Sequence, residues 1–281
     1  MKSTGLFFLV LCAGLGLHAN SAKPAIPQTI SSQNPSAAAA PPQDENARKA
    51  KALLDQMIQA LGGPQYLNVQ DMKQEGRTYT MHHGDPSGGG ALYWRFWRFP
   101  DKDRLELTKR RDWIILYNGD KGYEITFRGT SPADPKTLAD YLRRRNYSLE
   151  WVLRKWLQQP GVALLYEGPA IAAQKQTEQV TVINAANESV TIYIDSISHL
   201  PVQRNFAWRD PADRQKNVEA EIYDNYKIVQ GIATPLSVTR TFNGEMTAQR
   251  FINAVSYNQN LPDSLFAANT TWDPHKVLPK N

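Results

Sequence analysis

Along most of this chain apolar side chains alternate with polar ones at a period of two, the pattern of strands with one covered face. Val190, Ile192 and Ile194 alternate with Thr191, Tyr193 and Asp195, and Val218, Ala220 and Ile222 alternate with Glu219 and Glu221. The alternation assigns the apolar members to the covered face and the two glutamates to solvent. It predicts hairpins pairing residues 74–81 with 91–99, 113–118 with 122–127, 177–183 with 189–195, 202–209 with 218–229 and 234–242 with 247–257. Glycine-rich residues 84–90 and the Asn118-Gly119-Asp120 turn join the first two pairs. With residues 105–108 and 162–166 added, about ten to twelve strands joined by hairpin-length loops predict one strongly curved antiparallel sheet. The expected class is α+β, mainly β, with the sheet left as an unclosed half-barrel.

Helical spacing appears in two places. Leu53, Leu54, Met57, Ile58 and Leu61 form one greasy face before Gly62-Gly63-Pro64 stops the pattern. Leu138, Tyr141 and Leu142, followed by Leu149, Val152, Leu153, Trp156 and Leu157, form a second helical stretch inside residues 135–159. Asp134-Pro135 starts its first helix, Ser148 caps its second, and Pro160-Gly161 ends it. Both elements are expected to cover the apolar face of the sheet. A half-closed sheet under a helical cover makes an apolar container.

The first 43 residues have another character. Lys2, an apolar run over residues 6–17, and small residues at Ala19 and Ala22 predict a secretory signal peptide cut after Ala19. A run of that length falls short of the roughly 20 apolar residues that cross a bilayer. Cys12, the single cysteine, lies within it, so the mature chain is expected to be cysteine-free. Residues 20–43, rich in Ala, Pro, Ser and Gln, predict a disordered leader. The expected organisation is signal peptide 1–19, leader 20–43 and one domain 44–281. A net charge of +5, dispersed along the chain, gives no reason to expect nucleic acid.

Candidate chemistry is sparse. His82 and His83 are neighbours on a strand and point to opposite faces, so no metal site is expected. Gly88-Gly89-Gly90 lies between two strands, not between a strand and a helix, which argues against a phosphate loop. Glu219, Glu221 and Asp224 could form a carboxylate cluster for acid–base work, but alternation puts Glu219 and Glu221 on the expected wet face with nothing to raise a pKa. There is no serine elbow and no cysteine nucleophile. The chain reads as a non-enzyme without a cofactor.

The order of helix, aromatic strand ending Trp97-Arg98-Phe99-Pro100, Asn118-Gly119-Asp120 turn, helical insert and Ile194-Asp195 followed by Leu200-Pro201 resembles the periplasmic outer-membrane lipoprotein-sorting carriers, the LolA-like superfamily. The stretches at 226–235 and 261–266 are similar to recurring pieces of that superfamily. The resemblance implies a periplasmic protein whose unclosed barrel and helical lid enclose a cavity for lipid or lipoprotein acyl chains. It also implies that Arg98, the arginine near the proline after the aromatic strand, helps hold the lid. The expected ligand-binding residues are Trp94, Phe96 and Arg98 on the strand and Leu149, Val152, Leu153, Trp156 and Leu157 on the insert. Arg143-Arg144-Arg145 reads either as the solvated side of a helix, with Asp140 pairing Arg144, or as a surface for anionic headgroups or a partner protein. The alternative to ligand carriage is an interaction or sensor module with a packed core.

Overall fold

The computed structural model describes residues 45–268. The expected signal peptide, leader and Cys12 lie outside them. Fourteen antiparallel strands form one sheet. The first group is β1 (Asp71–His82), β2 (Asp85–Pro86), β3 (Ala91–Arg98), β4 (Lys102–Leu107), β5 (Trp113–Asn118), β6 (Lys121–Thr126) and β7 (Gly129–Pro132). The second is β8 (Ala163–Ala172), β9 (Lys175–Ile183), β10 (Ser189–Asp195), β11 (Pro201–Arg209), β12 (Lys216–Val229), β13 (Ile232–Phe242) and β14 (Glu245–Tyr257). Helices α1 (Glu45–Leu61) and α2 (Pro64–Leu67) precede the sheet, and α3 (Pro135–Asn146) and α4 (Leu149–Arg154) separate the two groups.

Each expected hairpin is present, so the mainly β, unclosed sheet is the fold observed. The spatial order is β7-β6-β5-β4-β3-β1-β14-β13-β12-β11-β10-β9-β8, with β2 paired to β1. Each group is a meander, and the pairing of β1 with β14 joins them into two wings of one sheet. β7 and β8 are the free edges. They are consecutive in sequence, so α3 and α4 must carry the chain from one edge to the other across the sheet. The strands that alternation did not reveal, β2 and β7, are two and four residues long, too short to show a period.

The helix caps follow the sequence signals. The Asp134 carboxylate accepts from Thr137 N, and Ser148 Oγ from Trp151 N. α1 buries Ala50, Leu54, Met57 and Leu61 along one stripe. That stripe meets Val180 and Val182 of β9, Val190, Ile192 and Ile194 of β10, and Phe206 of β11. Val152, Leu153 and Trp156 of the insert complete this core. α3, by contrast, has no fully buried residue.

The assignment of faces on β12 is reversed from the sequence reading. Asn217, Glu219, at 2% exposure, and Tyr223 are buried, whereas of the apolar set only Ala220 is, Val218 and Ile222 being half-buried. Glu221 stands directly opposite Arg204 of β11 and Arg240 of β13. The glutamates therefore face inward. Alternation separates two faces but does not say which is covered, and here the cover brings arginines to meet the carboxylates.

The opposite face of β3–β6 is covered too. Phe96 and Leu116 pack with Phe266, which follows the last strand, and Leu261 and Leu265 extend the contact.

The β1–β14 seam depends on one close approach. A bulge falls between Glu75 and Gly76, and a Cβ at Gly76 would lie 2.1 Å from the Phe251 carbonyl oxygen. Gly76→Ala should therefore force the two wings apart locally and destabilise the domain by about 1–3 kcal/mol, the usual range for overpacking. Urea unfolding measures this, and an unchanged midpoint would show that the seam is not a constraint.

Candidate ligand-binding cavity

The apolar core occupies the inner face of β9–β11. Over β12–β14, β1 and β3–β5 a cavity of about 860 Å³ remains, roofed by α3 and α4. Protein interiors normally hold few voids larger than a water molecule, so a space of this size is a ligand-site candidate.

Strand parity decides what lines it. Tyr93, Arg95 and Trp97 of β3 face the cavity, next to Asp103 and Leu105 of β4 and Ile115 and Tyr117 of β5. Met72 and Val69 add apolar surface from the β1 side, and Leu149 adds it from α4. The lining is mixed rather than apolar. It includes seven tyrosines and six arginines, with Asp103, Asp140 and Glu150 as the carboxylates.

Part of this polarity is neutralised in place. Arg95 donates through Nε and Nη2 to the two oxygens of Asp103, at 2.9 and 2.8 Å. Tyr117 of β5 stacks on Tyr141 of α3 with ring centroids 3.5 Å apart, tying the roof to the wall. Burial, reinforced by Asp103, pushes the Tyr117 hydroxyl up to about 12. Burial also pushes Tyr257 up to about 12. The two phenols stay neutral at neutral pH and present hydroxyls, not charges.

The rest of the charge forms a row across three strands. Arg204 is 1% exposed and donates to the Tyr147 carbonyl at 2.6 Å, to Glu221 Oε2 at 2.8 Å and to the Tyr223 hydroxyl at 3.3 Å. On the other side of Glu221, Arg240 Nη2 lies 3.2 Å and Arg250 Nη2 4.0 Å from Oε1. Burial alone would raise the Glu221 pKa, but the charges of Arg204, Arg240 and Arg250 outweigh it and hold the carboxyl well below its ordinary value. Burial, with the like charges of Arg250 and Arg144, lowers Arg240 to about 10 despite Glu221.

Other arginines fasten the roof. Arg154 of α4 donates to the Val69 carbonyl at 2.7 Å, and its guanidinium lies 3.5 Å from the centre of the Phe99 ring. Arg145 donates to the Gly119 carbonyl at 2.7 Å and to Asp120 at 3.0 Å. Arg143 and Arg144 reach Glu219 on the other wing at 3.1 and 2.8 Å, and Arg143 covers the Trp208 ring at 3.6 Å. The basic run is thus bound into both wings and is not a free solvated stripe. Asp140 pairs Arg143 at 2.6 Å and Arg144 more loosely at 3.9 Å.

Of the residues singled out from sequence, Leu149 lines the cavity. Val152, Leu153 and Trp156 lie in the core against α1 and the sheet, and Leu157 packs beside them half-buried. Trp94, Phe96 and Arg98 share the outer face of β3. There Arg98 donates to the Leu261 carbonyl at 3.0 Å, pairs with Asp263 and lies 5.1 Å from the Phe266 ring centre. It holds the segment after β14, and the strand-to-insert contact expected of it is made by Arg154 instead. Arg95, Arg240 and Arg250 escaped the sequence reading. Arg95 alone carries a sequence signal, a charge between the apolar neighbours Trp94 and Phe96; Arg240 lies between Thr239 and Thr241, and Arg250 follows Gln249.

No family model matches the chain, and no curated protein matches it. Solved structures do share its fold. A DUF1329 family protein from Desulfovibrio piger is 13% identical with a TM-score of 0.52, over 78% of this chain and 97% of that one. A domain assigned to outer-membrane lipoprotein sorting, from Vibrio parahaemolyticus, is 10% identical with a TM-score of 0.54, over 80% and 98%. At these identities the likeness establishes a LolA-like fold.

Arg204 is the most enclosed of these charges, and removing it would leave Glu221 and the Tyr147 carbonyl short of a donor. Arg204→Met should cost about 3–5 kcal/mol of stability, as breaking a buried ion pair does. Chemical denaturation measures it, and a loss below about 1 kcal/mol would mean that the row is solvated and structurally idle.

Proposed function

We propose that this chain is an exported envelope protein that binds hydrophobic ligands, lipid or lipoprotein acyl chains, in the cavity between the sheet and its helical insert. The observation that carries this reading is the roughly 860 Å³ space between Trp97, Leu105 and Ile115 on one wall and Leu149 on the roof. Apolar burial at about 25 cal/mol per Å² would supply the affinity. The fold shared with a domain assigned to lipoprotein sorting supports the same class of ligand. Signal peptide 1–19 and leader 20–43 would deliver the domain to the periplasm.

In this reading Leu149 touches the ligand, while Val152, Leu153, Trp156 and Leu157 seat the insert on the core. Trp94, Phe96 and Arg98 brace β3 from behind. The ligand would bind and leave without covalent chemistry. Among the lining residues there is no cysteine and no histidine, and Arg95–Asp103 is already paired.

Leu105 and Ile115 face each other across β4 and β5, which suggests a direct test. The mature chain should bind a fluorescent fatty-acid probe saturably, and Leu105→Trp, which fills the cavity from its wall, should lower affinity roughly tenfold, about 1.4 kcal/mol, without a large change in melting temperature. No saturable binding by folded wild type, or equal binding by a folded Leu105→Trp protein, contradicts the proposal. Export has its own check: N-terminal sequencing of secreted material should begin at Asn20, and a chain still starting at Met1 would refute cleavage.

A further inference from the structure

The arginine row leaves charge unspent inside the cavity. Arg204, Arg240 and Arg250 converge on Glu221, and among the described residues no other carboxylate lies within 4 Å of any of the three. One negative charge therefore serves three positive ones. Arg204 is sealed at the core end, with 2% of its side chain accessible. Arg240 and Arg250 keep 28% and 25%, and both line the cavity. Arg240 Nε is enclosed and has no hydrogen-bond acceptor. A guanidinium nitrogen buried without an acceptor is costly, and a ligand oxygen would relieve that cost.

The other cavity charges do not supply this acceptor. Asp103 is engaged by Arg95, and Asp140 by Arg143 and Arg144. Glu150 lines the cavity from α4, and its field acts on Tyr66, Tyr226 and Tyr257. Arg144 adds its positive field to that of Arg250 at Arg240. The cavity thus has a cationic wall on β13 and β14. Its apolar wall is formed by Trp97, Leu105 and Ile115.

We infer that the ligand is an anionic amphiphile whose phosphate or carboxylate head sits on Arg240 and Arg250 while its alkyl chain lies against the apolar wall. Two guanidiniums on adjacent strands present a donor surface that matches a tetrahedral or planar oxyanion. Glu221 sets the orientation of the pair but, shared with Arg204, neutralises it only in part, so the site stays cationic when empty. This inference rests on the cavity-binding reading and adds the chemistry of the head.

Calorimetry with decyl phosphate, decanol and inorganic phosphate, below aggregation concentrations, separates the possibilities on the mature protein. Wild type should bind decyl phosphate roughly ten- to hundredfold more tightly than decanol, as charge-assisted hydrogen bonds allow. Arg240→Gln and Arg250→Gln should each remove much of that preference and leave decanol affinity within about twofold. Leu105→Trp should weaken both alkyl ligands. Arg250, the more loosely tied to Glu221, provides the decisive variant if Arg240→Gln does not fold. Equal wild-type affinity for decyl phosphate and decanol, or an intact preference in folded Arg250→Gln, overturns the anion site and leaves the cavity reading standing. Inorganic phosphate binding as tightly as decyl phosphate overturns the amphiphile in favour of a free anion. If neither alkyl ligand binds folded wild type, the cavity reading itself fails.

Discussion

Glu221 gathers three guanidiniums on the covered face of a sheet, and the arrangement of the rest of the protein turns on that arrangement. Charges inside a fold must be paired with each other or face a space where something else can meet them. At the β11 end of the row, Arg204 is satisfied by Glu221, Tyr223 and the Tyr147 carbonyl, and the apolar core of α1, α4 and β9–β11 closes around it. At the β13 end, Arg240 Nε has no acceptor and Arg250 reaches Glu221 only at 4.0 Å, and there the core gives way to the cavity. The row marks the boundary between the part of the sheet that folds the protein and the part that is left for a ligand.

Topology explains why this boundary has a roof. The two wings meet only at β1 and β14, and the chain passes from the free edge β7 to the free edge β8 through α3 and α4. A connection of that kind has to span the inner face. Its arginines then fasten it at both ends, with Arg145 on the β5–β6 turn, Arg143 and Arg144 on Glu219 of β12, and Arg154 on the segment before β1. α4 is pressed into the core, but α3 has no fully buried residue and is held by ion pairs and by the stacking of Tyr141 on Tyr117. Polar fastenings of this type exchange with water at lower cost than an apolar contact breaks, which makes α3 the part of the roof best suited to move.

Much of the fold was legible from period-two alternation and turn residues, because each hairpin has enough length to show its pattern. Asp134 and Ser148 marked the insert helices for the same local reason. What alternation could not reveal was polarity. On β12 it singled out Val218, Ala220 and Ile222, yet Glu219 and Glu221 face inward because arginines from α3, β11, β13 and β14 meet them there. On β3 it gave two apolar faces, and the chosen one, with Trp94, Phe96 and Arg98, is covered by the segment around Phe266. Both errors have one cause. The identity of a covered face is fixed by distant partners, and the row on β11–β14 draws its members from residues up to 46 positions apart in sequence.

The central claim is that the space beside the arginine row is occupied by an amphiphile in the cell envelope. Native mass spectrometry of the mature protein, purified from envelopes without detergent exchange, tests it most directly. The account predicts a mass above that of the polypeptide by one acidic, alkyl-bearing molecule per chain, and its loss from Leu105→Trp protein prepared in the same way. Wild-type protein appearing only at its polypeptide mass, indistinguishable in occupancy from Leu105→Trp, would contradict it.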